Sequence, residues 1–291
     1  MSIIACENLT FLYGQGTPFE TAALDNVSFS CEKGEIVGII GHTGSGKSTL
    51  IQHLNGLLKP NSGTIYLRDK NIWSKENEKN IRNVRFAVGL CFQYPEYQIF
   101  EETIYKEIAF GPKQMGLDED EIRERVYRSM DFVGIDRAIE NKSPFDLSGG
   151  QKRRVAIASI IAMKPQVLVL DEPCAGLDPK GRDTILGLIK DYQRLEGNTV
   201  LLVSHSMEDV AKIADRVLVM NRSKVAMFGT VPEVYSRGDE LKKMGLNVPE
   251  VTDIFIKLNK MGIPCRTDIF TVQQGIDEFR RLKMKKEVAE L

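Results

Sequence analysis

Few folds can accommodate the stretch Gly41-His42-Thr43-Gly44-Ser45-Gly46-Lys47-Ser48, which fits the pattern G-x-x-x-x-G-K-[ST] without a mismatch. An apolar run over residues 36–40 precedes it and predicts a buried strand, and a helical pattern begins at Ser48. Glycines leave backbone N–H groups open, and with a helix N-terminus these groups form an anion site. The stretch therefore predicts a phosphate-binding loop, in which Lys47 contacts the β- and γ-phosphates of a nucleotide and Ser48 offers an oxygen to magnesium.

A second apolar run, over residues 167–170, ends in the acidic pair Asp171-Glu172. The carboxyl ends of parallel strands are where α/β proteins present their ligands. Asp171 is suited to hold magnesium, directly or through water, and Glu172 to orient or deprotonate an attacking water. An isolated Asp-Glu pair after a strand would more simply cap a helix, so the upstream phosphate-binding loop is what favours the chemical interpretation.

The peptide Leu147-Ser148-Gly149-Gly150-Gln151 precedes a helical pattern over residues 152–162. Ser148 is a suitable N-cap for that helix. The two glycines go beyond what a cap needs, because they allow an anion to approach the backbone at a helix N-terminus. One phosphate face is already supplied by Lys47 and its loop. We therefore expect this second site to serve a nucleotide held by a partner subunit.

The chain has 291 residues and a formal net charge of −1, which suits one large domain or two unequal ones. This near-neutral balance argues against nucleic acid as a partner, since nucleic-acid-binding proteins usually carry a basic excess. No apolar run approaches the roughly 20 residues that span a bilayer, and the first residues lack the features of an export signal. Five scattered cysteines without a C-x-x-C pattern are typical of reduced thiols in a cytosolic protein: Cys6, Cys31, Cys91, Cys174 and Cys265.

The remaining pattern predicts an α/β fold with a mostly parallel sheet and helices on its faces. Residues 3–40 indicate short strands with turns, and residues 101–140 are charged and helical, as in a small helical insertion. Further strands are predicted at residues 64–67, 200–203 and 217–220.

Two amphipathic helices are predicted after about residue 235. Pro249 is placed like the first residue of one helix, and Thr271 with Gln274 forms a possible capping box for the other. Their apolar positions, Phe255, Leu258, Phe279 and Leu282 among them, need a partner surface. Packing on their own domain and forming a subunit interface are both open.

Together these motifs resemble the ATP-binding cassette (ABC) ATPases over roughly residues 3–230. The resemblance implies a P-loop cassette with a mixed, mostly parallel core sheet, an antiparallel β subdomain and a small helical subdomain at about residues 94–150. It also implies two subunits arranged head to tail, so that the signature peptide of one closes over ATP on the P-loop of the other. On this basis residues 1–235 form the cassette.

The resemblance assigns roles position by position. Tyr13 resembles the aromatic residue that stacks on adenine, with Phe11 as a near competitor. Gln93 resembles the Q-loop glutamine that touches magnesium and the attacking water, and His205 resembles the switch histidine at the γ-phosphate. Residues 175–178 resemble the D-loop.

ATP and Mg²⁺ are thus the expected ligands, with Gln93, Glu172 and His205 as catalytic residues and Ser48, Gln93 and Asp171 at the metal. Cys174 departs from the threonine that is common after Asp-Glu-Pro, and we expect it to tune the site at most. The residues expected to contact ATP are Tyr13, Gly41, His42, Thr43, Gly44, Ser45, Gly46, Lys47, Ser48, Thr49, Ser148, Gly149, Gly150, Gln151 and Asp178.

Several peptides resemble one branch, the energy-coupling factor (ECF) transporters of vitamins and metal ions, and most of all the second, A-prime, ATPase subunit. They are Tyr13-Gly14-Gln15-Gly16-Thr17-Pro18-Phe19-Glu20, the stretch over residues 92–100, Ala109-Phe110-Gly111-Pro112 and Gln151-Lys152-Arg153-Arg154. The resemblance implies a C-terminal dimerisation domain over residues 236–291. An ATPase of another ABC importer, or a soluble ABC ATPase not tied to transport, are the alternatives.

Such a subunit works at the cytoplasmic face of the cell membrane, as a peripheral protein. The implied partners are a second ATPase subunit, a transmembrane coupling subunit that rests near the Q-loop, and a membrane subunit that captures the substrate. Glu96, Glu101 and Glu102 follow the Q-loop and could receive arginines of the coupling subunit. Solvated acids with no such role are the alternative.

Overall fold

The computed structural model describes residues 2–289, with side chains up to Met284. Met1 of the predicted cassette and residues 290–291 of the predicted C-terminal domain lie outside this part. Within it, no helix combines the length and hydropathy needed to cross a membrane. The strands are β1 (Ser2–Tyr13), β2 (Thr21–Glu32), β3 (Ile36–Gly41), β4 (Ser62–Leu67), β5 (Lys70–Asn71), β6 (Val88–Cys91), β7 (Val167–Asp171), β8 (Thr199–Val203), β9 (Arg216–Asn221) and β10 (Lys224–Thr230).

Four of these strands form an antiparallel sheet in the order β2-β1-β4-β5. The prediction of short strands over residues 3–40 was wrong for the first two, because β1 and β2 are each 12 residues long, and is confirmed for the six-residue β3. Their pairing contains register shifts, and Asn8 and Asn26 have φ angles of 49° and 54°. Such irregularities interrupt the two-residue alternation in the sequence while the hydrogen-bonded ladder continues.

The other six strands form the sheet β10-β9-β3-β8-β7-β6, in which only β10 pairs antiparallel. This confirms the predicted mostly parallel sheet. Every residue of β3, β6, β7 and β8 is buried, which explains why these strands read as continuous apolar runs. The carboxyl ends of the four strands meet at one edge.

Helices cover the sheet, and the ones that position the site follow its strands. They are α1 (Lys47–Leu54), α2 (Ile81–Ala87), α3 (Ile104–Gln114), α4 (Glu119–Phe132), α5 (Gly149–Ile161), α6 (Pro179–Glu196), α7 (Met207–Ile213), α8 (Val231–Tyr235), α9 (Gly238–Lys243), α10 (Glu250–Lys260) and α11 (Val272–Ala289).

The parallel sheet separates two hydrophobic cores, as strand alternation requires. Leu168 and Leu170 of β7 join the core under α3, α4, α5 and α6. Val167 and Val169 join the opposite core, which includes α1 and the antiparallel sheet. In the helical region, Thr103 caps α3 and α4 begins after a cap by Asp118.

The segment after residue 235 divides into two parts. Leu241, Leu246 and Val248 pack in one core with Val217 and Val219 of β9, so this part is joined to the cassette. Beyond it, α10 and α11 enclose a small core around Phe255, Cys265 and Ile269.

The predicted starts of α10 and α11 compare differently with the structure. Helix α10 begins at Glu250, one residue later than predicted, because Pro249 is extended with φ −50° and ψ 139°. The capping box is confirmed: Thr271 Oγ1 accepts from the Gln274 N–H (3.3 Å), and Gln274 Oε1 accepts from the Thr271 N–H (3.1 Å).

Candidate functional site

A cavity of about 540 Å³ opens at the carboxyl edge of β3, β8, β7 and β6. Each of these strands is followed by one predicted motif: the loop before Lys47, His205, the Asp171-Glu172 pair and Gln93. The topology therefore brings four distant parts of the sequence into one site. The lining residues are Tyr13, Thr21, Ala22, Ala23, Thr43, Gly44, Gly46, Lys47, Ser48, Thr49, Gln93, Asp171, Glu172 and His205.

The glycine-rich loop has a backbone that only glycine fits at its last turn. Gly46 has a φ of 100°, and a Cβ there would lie 2.3 Å from the carbonyl oxygen of Ala23. Lys47 Nζ donates to the carbonyl oxygens of Gly41 (2.6 Å) and His42 (2.9 Å). Burial lowers the pKa of Lys47, although Glu172 and Asp171 oppose this shift. The loop thus holds its ammonium group at the cavity wall.

Three residues of the predicted loop, Gly41, His42 and Ser45, do not line this cavity. The ring of His42 points away from the cavity, and its Nε2–H donates to the carbonyl oxygen of Met244 (2.6 Å). Ser45 is buried and its hydroxyl has no partner among the described residues. Gly41, at the end of β3, is outside the lining. The His42 contact with the C-terminal segment carried no signal in the sequence.

Asp171 lies at the end of β7 and faces the first turn of α1. Its Oδ2 accepts from Ser48 Oγ at 3.3 Å. Burial raises the pKa of Asp171, while the Ser48 bond and Lys47 lower it by less. The two side chains therefore place a carboxylate and a hydroxyl, both suitable for a hard cation, within contact of each other.

Glu172 turns away from the strand with a φ of 50°, and its N–H still bonds to the carbonyl oxygen of Val203 (3.0 Å). Burial raises the pKa of Glu172 to about 7, and the Asp171 charge adds to this. Its Oε1 is buried without a hydrogen bond, and His205 Nε2 lies 3.4 Å away. Burial, Lys47 and His42 all lower the pKa of His205. The site thus pairs a carboxyl group whose pKa lies near neutral pH with a neutral imidazole.

Tyr13, and not Phe11, reaches the cavity. The Tyr13 side chain is 45% exposed and its hydroxyl lies 3.4 Å from Thr49 Oγ1. Phe11 instead packs edge-on against His53, with ring centroids 4.6 Å apart, and against Tyr13 at 4.9 Å. Tyr13 is therefore the aromatic surface available to a planar ligand.

The signature residues line a different cavity of about 490 Å³, which shares no residue with the first. Ser148 and Gln151 form a capping box on α5, with the Gln151 carboxamide oxygen accepting from the Ser148 N–H at 3.0 Å. Asp178 caps α6, where its carboxylate accepts from the Gly181 N–H at 2.7 Å. Gly150 lines this cavity, whereas Gly149 does not.

Gln151 and Asp178 thus have structural roles as helix caps, in addition to the ATP contacts predicted for them. The signals were present, as Ser-x-x-Gln is a capping-box pattern and Asp178 directly precedes a proline. Cys174, close to these residues, is buried, and burial raises the pKa of its thiol to about 12. The thiol is therefore protonated and unreactive at neutral pH.

The expectation that Glu96 is free for a partner was wrong. Glu96 forms a salt bridge with Arg153 of its own chain at 2.6 Å, with side chains 12% and 4% exposed. Glu96 lies in a short 3₁₀ turn that begins at the buried Pro95, and the sequence does not show which neighbouring acid faces inward. Glu102 is exposed and pairs with Lys106 at 2.7 Å.

Comparisons with known proteins agree with this geometry. The family described as "ABC transporter" matches residues 24–175. The energy-coupling factor transporter ATP-binding protein EcfA2 of Clostridium acetobutylicum is 55% identical over 280 residues, which cover 96% of this chain and 97% of that protein. The protein of the same name from Caldanaerobacter subterraneus is 52% identical over 278 residues, covering 96% of each.

Two solved structures share the fold. The structure of cbiO1 from Clostridium perfringens, part of the ABC transporter complex cbiONQ, has a TM-score of 0.73 and 36% identity, covering 90% of this chain and 97% of that one. A dimeric post-hydrolysis state of the cassette MJ0796 bound to ADP and Pi has a TM-score of 0.69 and 26% identity, covering 78% and 98%.

Proposed function

Because this chain belongs to the ABC ATPases, and among them to the ATP-binding proteins of energy-coupling factor transporters, we propose that it hydrolyses ATP in the 540 Å³ cavity to power transport. The observation that carries the proposal is the convergence of Lys47, Gln93, Asp171, Glu172 and His205 on that one cavity. The family and its ECF branch, predicted from the motifs, are confirmed by the comparisons.

The glycine-rich loop is the phosphate cradle in this proposal. Its backbone N–H groups and the N-terminus of α1 favour negative charge. Lys47 would exchange its bonds with loop carbonyls for the phosphate oxygens, which accept a charged donor more strongly. Tyr13 offers its ring to the adenine, and Thr49 lines the same wall.

The residues present fit a magnesium ion. Ser48 and Asp171 supply oxygens in mutual contact, Asp171 is buried, and Gln93 lines the same cavity. Magnesium typically takes one or two protein oxygens and completes its octahedron with water and substrate phosphates. When bound, it would neutralise the negative charge that develops on the phosphates.

Glu172 is the proposed general base. A carboxyl with a pKa near 7 accepts a proton better than an ordinary glutamate, while still being ionised in a large fraction of molecules at neutral pH. Its neighbour His205 holds a neutral ring 3.4 Å away, which can donate or accept a hydrogen bond at the terminal phosphate. Gln93 would orient the attacking water.

The separation of the two cavities supports a composite site. Within one chain, Ser148 and Gly150 line a cavity that shares no residue with the P-loop cavity. We infer that this second cavity faces ATP on the P-loop of a paired ATPase subunit. The N-terminus of α5, with Arg154 and Lys180 lining the same cavity, suits a phosphate group.

A third cavity, a groove of about 480 Å³ after the Q-loop, suits the coupling subunit. Its lining combines apolar side chains with the charged residues Arg82, Arg85 and Glu107. Phe100 is 58% exposed at the groove and packs edge-on against Phe110 at 4.9 Å. We propose that a helix of a transmembrane coupling subunit docks here, which would place this chain at the cytoplasmic face of the membrane.

Replacing Phe100 by Asp tests the transport role. We expect the Phe100→Asp variant to lose co-purification with its membrane subunits from detergent, because a buried unpaired charge opposes an apolar contact. ATP binding should remain as in the wild type, since the groove is separate from the P-loop cavity. Leu195→Asp is the matched control, as Leu195 is also an exposed apolar residue (65%). Full retention of the membrane subunits by Phe100→Asp would contradict the docking proposal.

The C-terminal helices are proposed to pair ATPase subunits. Phe255 is fully buried, and Leu258 and Leu282 pack against the small core that contains it, so these predicted stripe residues are used inside the chain. Ile276 (40%) and Phe279 (52%) on α11 remain exposed. Their exposed surface supports a subunit contact.

Replacing both Ile276 and Phe279 by Ser should weaken pairing between ATPase subunits in the absence of ATP. The reason is that about 25 cal/mol of stabilisation is lost for each Å² of apolar surface that is no longer buried. Light scattering of the double variant Ile276→Ser, Phe279→Ser measures this, with Leu195→Ser as control. Point variants are preferable to a deletion after residue 240, since Leu241, Leu246 and Val248 belong to the cassette core. An unchanged dimer fraction would show that α11 packs only within its own chain.

A further inference from the structure

One guanidinium group connects three of the motif segments of this chain. Arg153 Nη2 donates to Glu96 Oε1 at 2.6 Å and Nε donates to Oε2 at 3.0 Å, a two-point contact. Glu96 is three residues beyond Gln93, and Arg153 is on α5, five residues beyond Ser148. The pair therefore joins the segment after the Q-loop to the signature helix.

The remaining nitrogen of Arg153 reaches the third segment. Nη1 donates to the carbonyl oxygens of Pro173 (3.1 Å) and Ala175 (2.7 Å). These carbonyls lie between Glu172 and the D-loop residue Asp178. Every guanidinium nitrogen thus has a partner, and the contacts extend to the backbone that leaves the catalytic glutamate.

Because the Arg153–Glu96 pair is buried, we expect neither partner to move without the other. The Arg153 side chain is 4% exposed and that of Glu96 is 12% exposed. Burial by itself would raise the pKa of Glu96, but the Arg153 hydrogen bonds and charge outweigh it and hold that pKa below its usual value. Separating a buried ion pair leaves a charge without a partner, which is strongly unfavourable. The three segments are therefore expected to move together.

We propose that Arg153 is a positioning residue that couples the two ATP sites of the ATPase pair. Its contact with Glu96 links it to the loop that carries Gln93, which lies at this chain's own ATP site. Its position on α5 and its bonds to the Pro173 and Ala175 carbonyls link it to the segments that would contact the partner's ATP. This inference rests on the proposed composite sites and extends them. A purely structural staple would stabilise the fold equally but would not link the two sites.

The test compares two lysine substitutions with the same local chemistry. Arg125 also contacts one glutamate, Glu121, and donates to the carbonyl oxygens of Ala162 (3.4 Å) and Met163 (3.3 Å) at the opposite end of α5. Its side chain is 11% exposed. Arg153→Lys and Arg125→Lys should therefore lower the melting temperature similarly, and only the first should change coupling.

Coupling is measured as the factor by which an occupied partner site changes the affinity of this chain's P-loop for the non-hydrolysable analogue AMP-PNP. Isothermal titration is run on the paired assembly with the partner's P-loop lysine either intact or replaced by alanine. We expect Arg153→Lys to reduce this factor by roughly 2- to 30-fold, the range for residues that carry coupling. The affinity with the partner site disabled should stay as in the wild type. Glu96→Gln, which keeps one oxygen for Arg153, should give a smaller reduction, and it serves if Arg153→Lys is too unstable.

The two possible failures are distinguishable. The inference would be overturned by a coupling factor of one in the wild type. It would also be overturned if Arg153→Lys, Glu96→Gln and Arg125→Lys all kept the wild-type factor. In both cases AMP-PNP binding would be unaffected. An assembly whose P-loop does not bind AMP-PNP would instead contradict the proposed function. The double variant Glu96→Gln, Arg153→Lys should lose no more coupling than Arg153→Lys alone, because the two residues act through one contact.

Discussion

Replacing Glu172 by Gln is expected to reduce ATP turnover by roughly 100-fold or more, because the amide keeps the shape of the side chain but cannot accept a proton. The variant should still bind ATP and accumulate in the closed, ATP-bound pair. Steady-state ATPase assays on the purified assembly measure the first effect, and size-exclusion chromatography with ATP measures the second. Normal turnover by the Glu172→Gln variant would remove Glu172 from the mechanism.

The pH dependence of turnover gives an independent check. The pKa of Glu172 is raised to about 7 by burial, so its protonated, inactive form grows as the pH falls through 7. Wild-type turnover should fall over that range, and the residual turnover of Glu172→Gln should not.

Lys47→Ala is the informative contrast to Glu172→Gln. Lys47 would contact the phosphates of bound ATP in the ground state, so its loss should weaken ATP binding as well as turnover. If ATP binding by Lys47→Ala equals that of the wild type, the phosphate role of this lysine is wrong even where turnover falls.

The variant Ser148→Arg should disable the ATP site that contains the partner's P-loop and leave nucleotide binding by the P-loop of this chain intact. The Ser148 side chain is exposed in the signature cavity, where a long side chain would occupy the space of a nucleotide. In mixed assemblies, adding a P-loop lysine-to-alanine change to the partner should cause no further loss of turnover, whereas adding Lys47→Ala to the Ser148→Arg chain should abolish what remains.

Ser148→Asp controls for damage to α5. Aspartate caps helices about as well as serine, so α5 should persist, while its negative charge opposes a phosphate. A loss of turnover with both Arg and Asp therefore cannot come from a broken helix. If the loss always followed the P-loop of the mutant chain itself, the composite site would be wrong.

The parts of the site that the sequence predicted are those encoded by local chemistry. The loop around Lys47 and the pair Asp171-Glu172 combine residue type, spacing and an adjoining buried strand, and these are readable without tertiary contacts. Gln93 and His205 are single residues, and only the resemblance to a family made them visible. Their position after β6 and β8, on either side of β7, then explains why they share one cavity with Glu172.

The parts that could not be predicted depend on packing between distant segments. Three glutamates follow Gln93 within nine residues, and the sequence does not distinguish Glu96, which meets Arg153, from Glu102, which stays exposed. The length of β1 and β2 was hidden by irregular pairing at Asn8 and Asn26. Tertiary pairing overrides local alternation in such strands.

The placement of β7 has a consequence for how motion is distributed in this protein. The strand lies between β8 and β6, so hydrogen-bonded ladders hold it on both edges, and its alternate side chains are fixed in two separate cores. Local opening is rarest where buried contacts are densest. Asp171 and Glu172 are therefore attached to one of the stiffest parts of the chain, whereas Gln93 and His205 lie on exposed loops, where we expect motion during turnover to be concentrated. Substitutions that soften β7 would blur the position of Glu172, the proposed base, without touching any ligand contact.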